Sequence, residues 1–272
     1  MDRLATLLDQ FAFTASTFHQ GSFCGIDQVD GSQPVGHVHL LRAGSLRLRD
    51  GLGPPRVLDE PSLILMIRPR AHELSAGESD GADLVCATLA FTGGPDNPLT
   101  RALPDVLVSP LRDLPQVRAL CEWLFAETLG DECGKGLVLN RLFELLVIQL
   151  LRDLLGSQGV TSGMLAGLAD KRLARALVAL HEAPALDWSV QALAALAGMS
   201  RAGFAAHFKA VVGDTPGDYL AGWRIALAQK RIRDGRPLAL VADEVGYQSP
   251  SALARVFRRK TGMSPGQWRQ QV

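Results

Sequence analysis

Between Trp188 and Gly262 the apolar positions fall at helical spacing twice over, in two copies of one pattern. The first runs from Val190 to Lys209 and the second from Leu238 to Lys260. Each reads as a short apolar helix, a glycine, a serine and a second helix, the signature of a helix-turn-helix. Gly198 and Gly246 permit the positive φ of a tight turn. Ser200 and Ser249 stand where a side-chain oxygen can cap the second helix. Phe204 and Phe208, like Leu253 and Phe257, lie four apart and predict a buried stripe on each second helix. Between the copies, Pro216 and the Gly235-Arg-Pro237 stop bracket a helix from about Pro216 to Asp234. Its roughly 19 residues span about 28 Å. Successive major grooves on one face of DNA lie about 34 Å apart, so such a rod can hold two recognition helices near that spacing.

Upstream the period changes from helix to strand. Over residues 11–92, Val38, Leu40, Leu46 and Leu48 alternate with His37, His39, Arg47 and Arg49, with Gly and Pro between the runs. Short strands at this spacing predict a small β-barrel or sandwich. Met1–Leu8 predicts a short helix. Apolar positions return to helical spacing over Leu114–Leu129 and Leu137–Leu155. In the latter, Leu142, Leu145, Leu146, Ile148, Leu150 and Leu154 offer more apolar surface than one small barrel needs, which packing on the barrel or a dimer face can absorb. Gly156–Gly163 is linker-like in composition, and Asp170–His181 opens the C-terminal half.

Gly246-Tyr-Gln-Ser249, Phe257-Arg-Arg-Lys-Thr-Gly262 and Ser264-Pro265 resemble the C-terminal signature of AraC/XylS-type transcription regulators over about the last hundred residues. That resemblance implies a seven-helix DNA-binding domain with two helix-turn-helix units. It also implies a homodimer through the helices after the barrel; RNA polymerase is an expected partner and the cytoplasm the expected location. His37–Gly44 followed by Pro61–His72 is similar to the two motifs of cupin barrels. The glutamate usual after the His-x-His pair is absent, because Leu40–Ser45 contains none, which argues against an ordinary catalytic cupin metal centre. The expected fold is therefore α+β in two domains. Residues 1–155 form a cupin-like sensor and dimerisation domain, 156–169 a linker, and 170–272 an all-α DNA-binding domain.

Charge sharpens this division. The chain has 272 residues and no net charge, but residues 1–165 carry 13 basic against 20 acidic side chains and residues 166–272 carry 15 against 8. Only the basic half suits nucleic acid. An apolar content of 47% is ample for folded cores. No apolar run reaches membrane-spanning length, the N-terminus lacks a secretory pattern, and four unpaired-looking cysteines fit a reducing compartment.

A recognition helix presents its N-terminal, solvent-facing residues to base edges. In the second unit these are Pro250, Ser251, Ala252 and Arg255, of which Arg255 has the fork to take guanine O6 and N7. In the first they are Arg201, Ala202, Ala205 and Ala206, where alanine offers only apolar contact and Arg201 is the one strong donor. Ser200, Lys209, Ser249, Arg258 and Arg259 are the expected backbone contacts, with Lys260 beside them. Trp188, Trp223 and Trp268 read as core or cap residues.

In the N-terminal half the polar candidates are Cys24, His37, His39, His72 and Cys86. His37 and His39 share a strand face, and a barrel that converged all five would offer thiolates and imidazoles to Zn²⁺. The cupin-type regulators this half resembles include sensors of reactive chlorine, with cysteines placed like Cys24 and Cys86. A disulfide between these two, or expulsion of zinc by hypochlorous acid, would then be the switch. The same residues also fit as buried small hydrophobes and backbone-bonded histidines. Cys121, Cys133, His19, His181 and His207 carry no assigned role. The expected function is a DNA-binding transcription regulator, activator or repressor, that senses an oxidant or a small ligand. The competing class is a cupin metalloenzyme fused to a DNA-binding module.

Overall fold

A computed structural model describes residues 1–77, 81–94, 97–156 and 161–270. The chain forms two compact units. The sheet-rich unit comprises Phe13–Pro95 and Leu103–Asp153; the helical unit comprises Leu154–Val272 with two earlier segments, Met1–Ala12 and Asp96–Ala102.

In the sheet-rich unit the strands are β1 (Phe13–Phe23), β2 (Gly25–Val29), β3 (Gly36–Gly44), β4 (Leu46–Arg49), β5 (Arg56–Leu58), β6 (Ser62–Met66), β7 (His72–Ala76), β8 (Ala82–Phe91) and β9 (Val106–Pro110). They pair antiparallel into a five-stranded sheet of order β1-β8-β3-β6-β9 and a four-stranded sheet of order β2-β7-β4-β5. The expected small barrel or sandwich takes the form of two sheets, with no closed barrel among the described residues. The chain crosses between them at corners, and Gly44 explains one: its φ is +89°, and a Cβ there would lie 2.3 Å from the Gly81 carbonyl oxygen. Leu41, Ile64, Met66, Leu84 and Cys86 of the larger sheet meet Leu46, Leu48 and Leu74 of the smaller in one core.

The larger sheet is buried on both faces over much of its area. β6 is buried at every position, which accounts for its unbroken Leu-Ile-Leu-Met run. Among the described residues two α-helices follow the strands, α3 (Arg118–Leu129) and α4 (Lys135–Gly156), the last of which runs past the end of the unit at Asp153. β1 is an edge strand, and α4 satisfies two of its amides. Thr17 N–H donates to Asn140 Oδ1 at 2.8 Å and Ala15 N–H to Glu144 Oε1 at 3.1 Å.

In the helical unit, α5 (Met164–Ala169) precedes seven further helices. They are α6 (Leu173–Glu182), α7 (Val190–Leu196), α8 (Arg201–Val212), α9 (Pro216–Arg233), α10 (Leu238–Glu244), α11 (Pro250–Thr261) and α12 (Pro265–Gln270). The segment expected as linker is thus partly helix, since Met164, Leu165 and Leu168 of α5 are buried. Residues 157–160 of that segment lie outside the described residues. α1 (Ala5–Gln10) and α2 (Pro98–Ala102) belong to this unit although their sequence lies in the expected sensor half. Burial is the reason: Leu7 and Phe11 are covered, Phe11 sits edge-on to Trp223 at 5.1 Å, and Arg3 Nη1 donates to the Leu168 carbonyl.

Candidate nucleic-acid interface and signal site

α7–α8 and α10–α11 are the two predicted helix-turn-helix units. Ser200 Oγ accepts from Gly203 N–H and Ser249 Oγ from Ala252 N–H, both at 3.2 Å. Phe204, Phe208, Leu253 and Phe257 are fully buried, so the opposite face of each second helix must point to solvent. It carries the expected readers: Arg201, Ala202, Ala206, Pro250, Ser251 and Arg255 are exposed, and Ala205 and Ala252 half-buried. Among the described residues no carboxylate pairs with Arg201 or Arg255, so both guanidinium groups are available. Lys209, Arg258 and Arg259 are exposed as well, whereas Lys260 leans toward Asp218 at 3.9 Å. Each capping serine uses its oxygen as acceptor and keeps its O–H to donate; that of Ser249 lies 2.9 Å from Ser251 Oγ.

The turns of the two units differ. Gly198 has φ +65°, and a Cβ there would meet nothing within 4 Å, so the turn alone requires glycine. Gly246 has φ +83°, and a Cβ there would lie 2.6 Å from Ala185 Cα, 2.7 Å from Ala185 O and 2.9 Å from Arg224 Nη2. The second turn therefore lies directly on the Ala183–Leu186 loop that leads into the first unit. Arg224 of α9 sits at this junction. Its Nε donates to Pro184 O at 2.7 Å, its Nη2 to Leu186 O at 2.9 Å, and its guanidinium lies 5.5 Å from the centre of the Tyr247 ring. The helix-turn-helix pattern does not single out Arg224; the available signal is a cation between apolar Trp223 and Ile225 on a helix bracketed by both motifs.

Other residues without an expected role prove structural. His181 stacks on Trp223 at 3.9 Å and its Nε2 lies 2.6 Å from Tyr219 Oη; burial holds its pKa down at about 3. His207 Nε2 contacts Asp170 at 2.7 Å. Of the tryptophans expected as core or cap residues, Trp223 and Trp268 are buried in the core, and Trp188 Nε1 donates to Ala183 O.

In the sheet-rich unit the histidines converge and the cysteines do not. His39 lies opposite both Cys86 on β8 and Ile64 on β6, so all three share a face. Cys86 and Ile64 belong to the core between the sheets, which places His39 there too. His72, from the other sheet, brings its Nε2 to 3.1 Å from His39 Nε2. The His37 ring lies 5.2 Å from that of His72 and stacks 6.0 Å from that of His39. Phe18, the extra residue where the β1–β8 register shifts, sets its ring edge-on to both.

The hydrogen bonds fix the tautomers. His72 Nδ1 is 2.9 Å from the Arg70 carbonyl, so it carries the proton. A neutral His72 then has a bare Nε2, which accepts from His39 Nε2–H. That leaves His39 Nδ1 as an unprotonated, buried acceptor without a partner. Burial lowers the pKa of all three rings, that of His37 to about 4, with the charge of His72 adding to the effect at His37 and His39.

The expected zinc set of Cys24, His37, His39, His72 and Cys86 is not assembled. Phe23 already pairs with Ala82, four residues or about 13 Å along β8 from Cys86, and Cys24 continues beyond it. A disulfide needs Cα atoms within about 7 Å, so the expected Cys24–Cys86 bridge is ruled out in this conformation. Cys24 is exposed and Cys86 buried. Burial, with Asp27 second, pushes the Cys86 thiol well above the ordinary range, so it stays protonated and a poor metal ligand. Among the described residues no group of three or more His, Cys, Asp or Glu is placed to hold a metal ion. Cys121 is also buried, its thiol pushed up to about 12, and Cys133 is exposed.

Comparison with known proteins agrees with both halves. Residues 2–156 match the family described as Cupin and residues 193–271 the family described as Helix-turn-helix domain. A putative AraC-like transcription regulator of Streptomyces antibioticus is 35% identical over 84% of this chain and 85% of its own length. The RCS-specific HTH-type transcriptional activator RclR of Escherichia coli is 28% identical over 86% and 84%. Among solved structures, ToxT from Vibrio cholerae covers 96% of this chain and 98% of its own at 12% identity and a TM-score of 0.41.

Proposed function

The chain belongs to the AraC-like transcription regulators with an N-terminal cupin-type domain, and on that premise we propose how it takes hold of DNA and where it receives its signal. α8 and α11 enter successive major grooves of double-stranded DNA, with Arg201 and Arg255 reading bases and Lys209, Arg258 and Arg259 holding phosphates. The observation that carries this reading is the pair of serine-capped helices, each with a buried aromatic or leucine stripe and an available arginine on the opposite face. Helix N-termini add a partial positive charge toward the phosphates.

The protein acts as a homodimer, in the cytoplasm, and contacts RNA polymerase as an activator. The dimer reading is supported by exposed apolar side chains on the two helices after the strands: Trp123 and Leu129 on α3, Leu137 and Leu145 on α4. The signal is an oxidant received at Cys24. Its thiol is exposed at the corner between β1 and β2, where oxidation to a sulfenic acid needs no rearrangement of the core. The name of the E. coli relative, RCS-specific, points the same way.

The test is footprinting on genomic fragments with reduced and hypochlorite-treated protein, beside transcription from the bound promoters. Protected sites whose transcription responds to oxidant in the wild type and not in Cys24→Ala support the reading. Equal responses in both proteins would remove Cys24 as the sensor, and the absence of any protected site would remove the DNA assignment.

A further inference from the structure

We infer that Arg224 is a positioning residue that sets the spacing and angle between the two recognition helices, and so determines which separation of half-sites the protein accepts. Two helix-turn-helix units joined by one helix have no obligatory fixed geometry. α9 has 18 residues, about 27 Å of rod, and each unit can rotate about its junction with that rod unless something else ties it. Glu244 ties the second unit to α9 through Arg231 Nε at 2.8 Å. That pair does not reach the first unit.

Arg224 reaches both. Two of its N–H groups are taken by Pro184 O and Leu186 O, the carbonyls of the loop that feeds α7. Its plane lies near the Tyr247 ring, in the turn between α10 and α11. The guanidinium fork is rigid, so binding two carbonyls two residues apart leaves its orientation no freedom. Tyr247, whose ring centre lies 5.5 Å from that guanidinium, is held beside it and so beside the loop. Gly246 makes the closeness possible: the turn approaches Ala185 so nearly that no side chain fits. Lysine cannot reproduce this, since a single ammonium cannot present a planar fork to two carbonyls and a ring at once.

A register device has a signature that general destabilisation lacks. It changes the dependence of affinity on the distance between half-sites, and leaves each recognition helix competent. The experiment uses the full chain and duplexes selected by the wild type from a random pool. From the selected sequence, a series is made with one, two or three base pairs inserted or removed between the two boxes. Wild-type affinity should fall about tenfold when the second box is displaced. Arg224→Ala should bind the best duplex several-fold more weakly and vary by no more than about twofold across the series. Arg224→Lys should lie between the two. Tyr247→Leu, which keeps an apolar packing partner, should flatten the profile in the same direction and serves if Arg224→Ala does not fold, as judged by circular dichroism. A profile for Arg224→Lys and Tyr247→Leu parallel to that of the wild type, lowered or not, would overturn the inference.

Discussion

His19 lies opposite Cys86 on the β1–β8 ladder, and the strand carries Cys24 away from that row toward the Ala82 end. The first prediction follows. Hypochlorite or diamide at low stoichiometry should modify Cys24 and Cys133, which are exposed, and leave Cys86 and Cys121 unmodified. Mass spectrometry after alkylation reads this directly. A Cys24–Cys86 disulfide formed at a rate comparable to Cys24 oxidation would show that the two sheets rearrange far more readily than their core suggests.

The histidine cluster predicts an acid limb to stability. A ring buried in its neutral form binds a proton less readily in the folded chain than in the unfolded one. For His37 the pKa falls from 6.5 to about 4. The unfolded chain therefore takes up more protons as pH drops through 6.5, and stability declines from there to about pH 4, below which this group adds no further loss. The contribution of His37 is on the order of 2 kcal/mol. Urea unfolding of the wild type and of His37→Gln between pH 7 and pH 4 should give a flatter curve for the variant.

The two turn glycines should not be equivalent. Gly198→Ala meets a strained φ in open space and should cost about 1–2 kcal/mol. Gly246→Ala meets the same strain and a wall of backbone at Ala185, and should cost about 3 kcal/mol or more. Thermal denaturation ranks them, and equal losses would mean that the Ala185 loop yields freely.

Arg255→Ala should weaken specific binding by about 1–3 kcal/mol and relax preference at one base pair. Arg258→Ala should weaken all sequences alike and reduce the slope of affinity against salt. Titrations at several salt concentrations, on the selected duplex and on single-base variants, separate the two roles. Specificity unchanged in Arg255→Ala would displace it from the base-reading position.

Leu137→Glu with Leu145→Glu should make the protein monomeric at micromolar concentration while leaving its fold intact, because both side chains are exposed and neither fills the core. Sedimentation velocity decides this; an unchanged mass would locate any dimer contact elsewhere.

The helical unit is legible in the sequence because its determinants are local. A glycine, a serine and two apolar residues four apart specify a turn, a cap and a buried face within a dozen positions, and all appear where expected. The sheet-rich unit is legible only as strands. Alternation at Val38 and Leu40 identifies β3 but does not say that β1 joins β8, and it is that pairing which parts Cys24 from Cys86. His37 and His39 share a strand face by period alone, while the arrival of His72 beside them depends on how two sheets stack. Burial of Leu7 and Phe11 with the helical unit depends on a surface made by residues more than 150 positions away, as the Arg3–Leu168 contact illustrates, and no short window contains it.

Asn140 and Glu144 occupy the outward amides of Thr17 and Ala15 on the edge strand β1. At those two positions the edge gives no template for a stray strand from another molecule. Any event that slid α4 along the sheet would uncover those amides, so this helix guards the protein's solubility as well as filling its fold. A chain with a loosened α4 would open those two amides to pairing with a strand of another molecule.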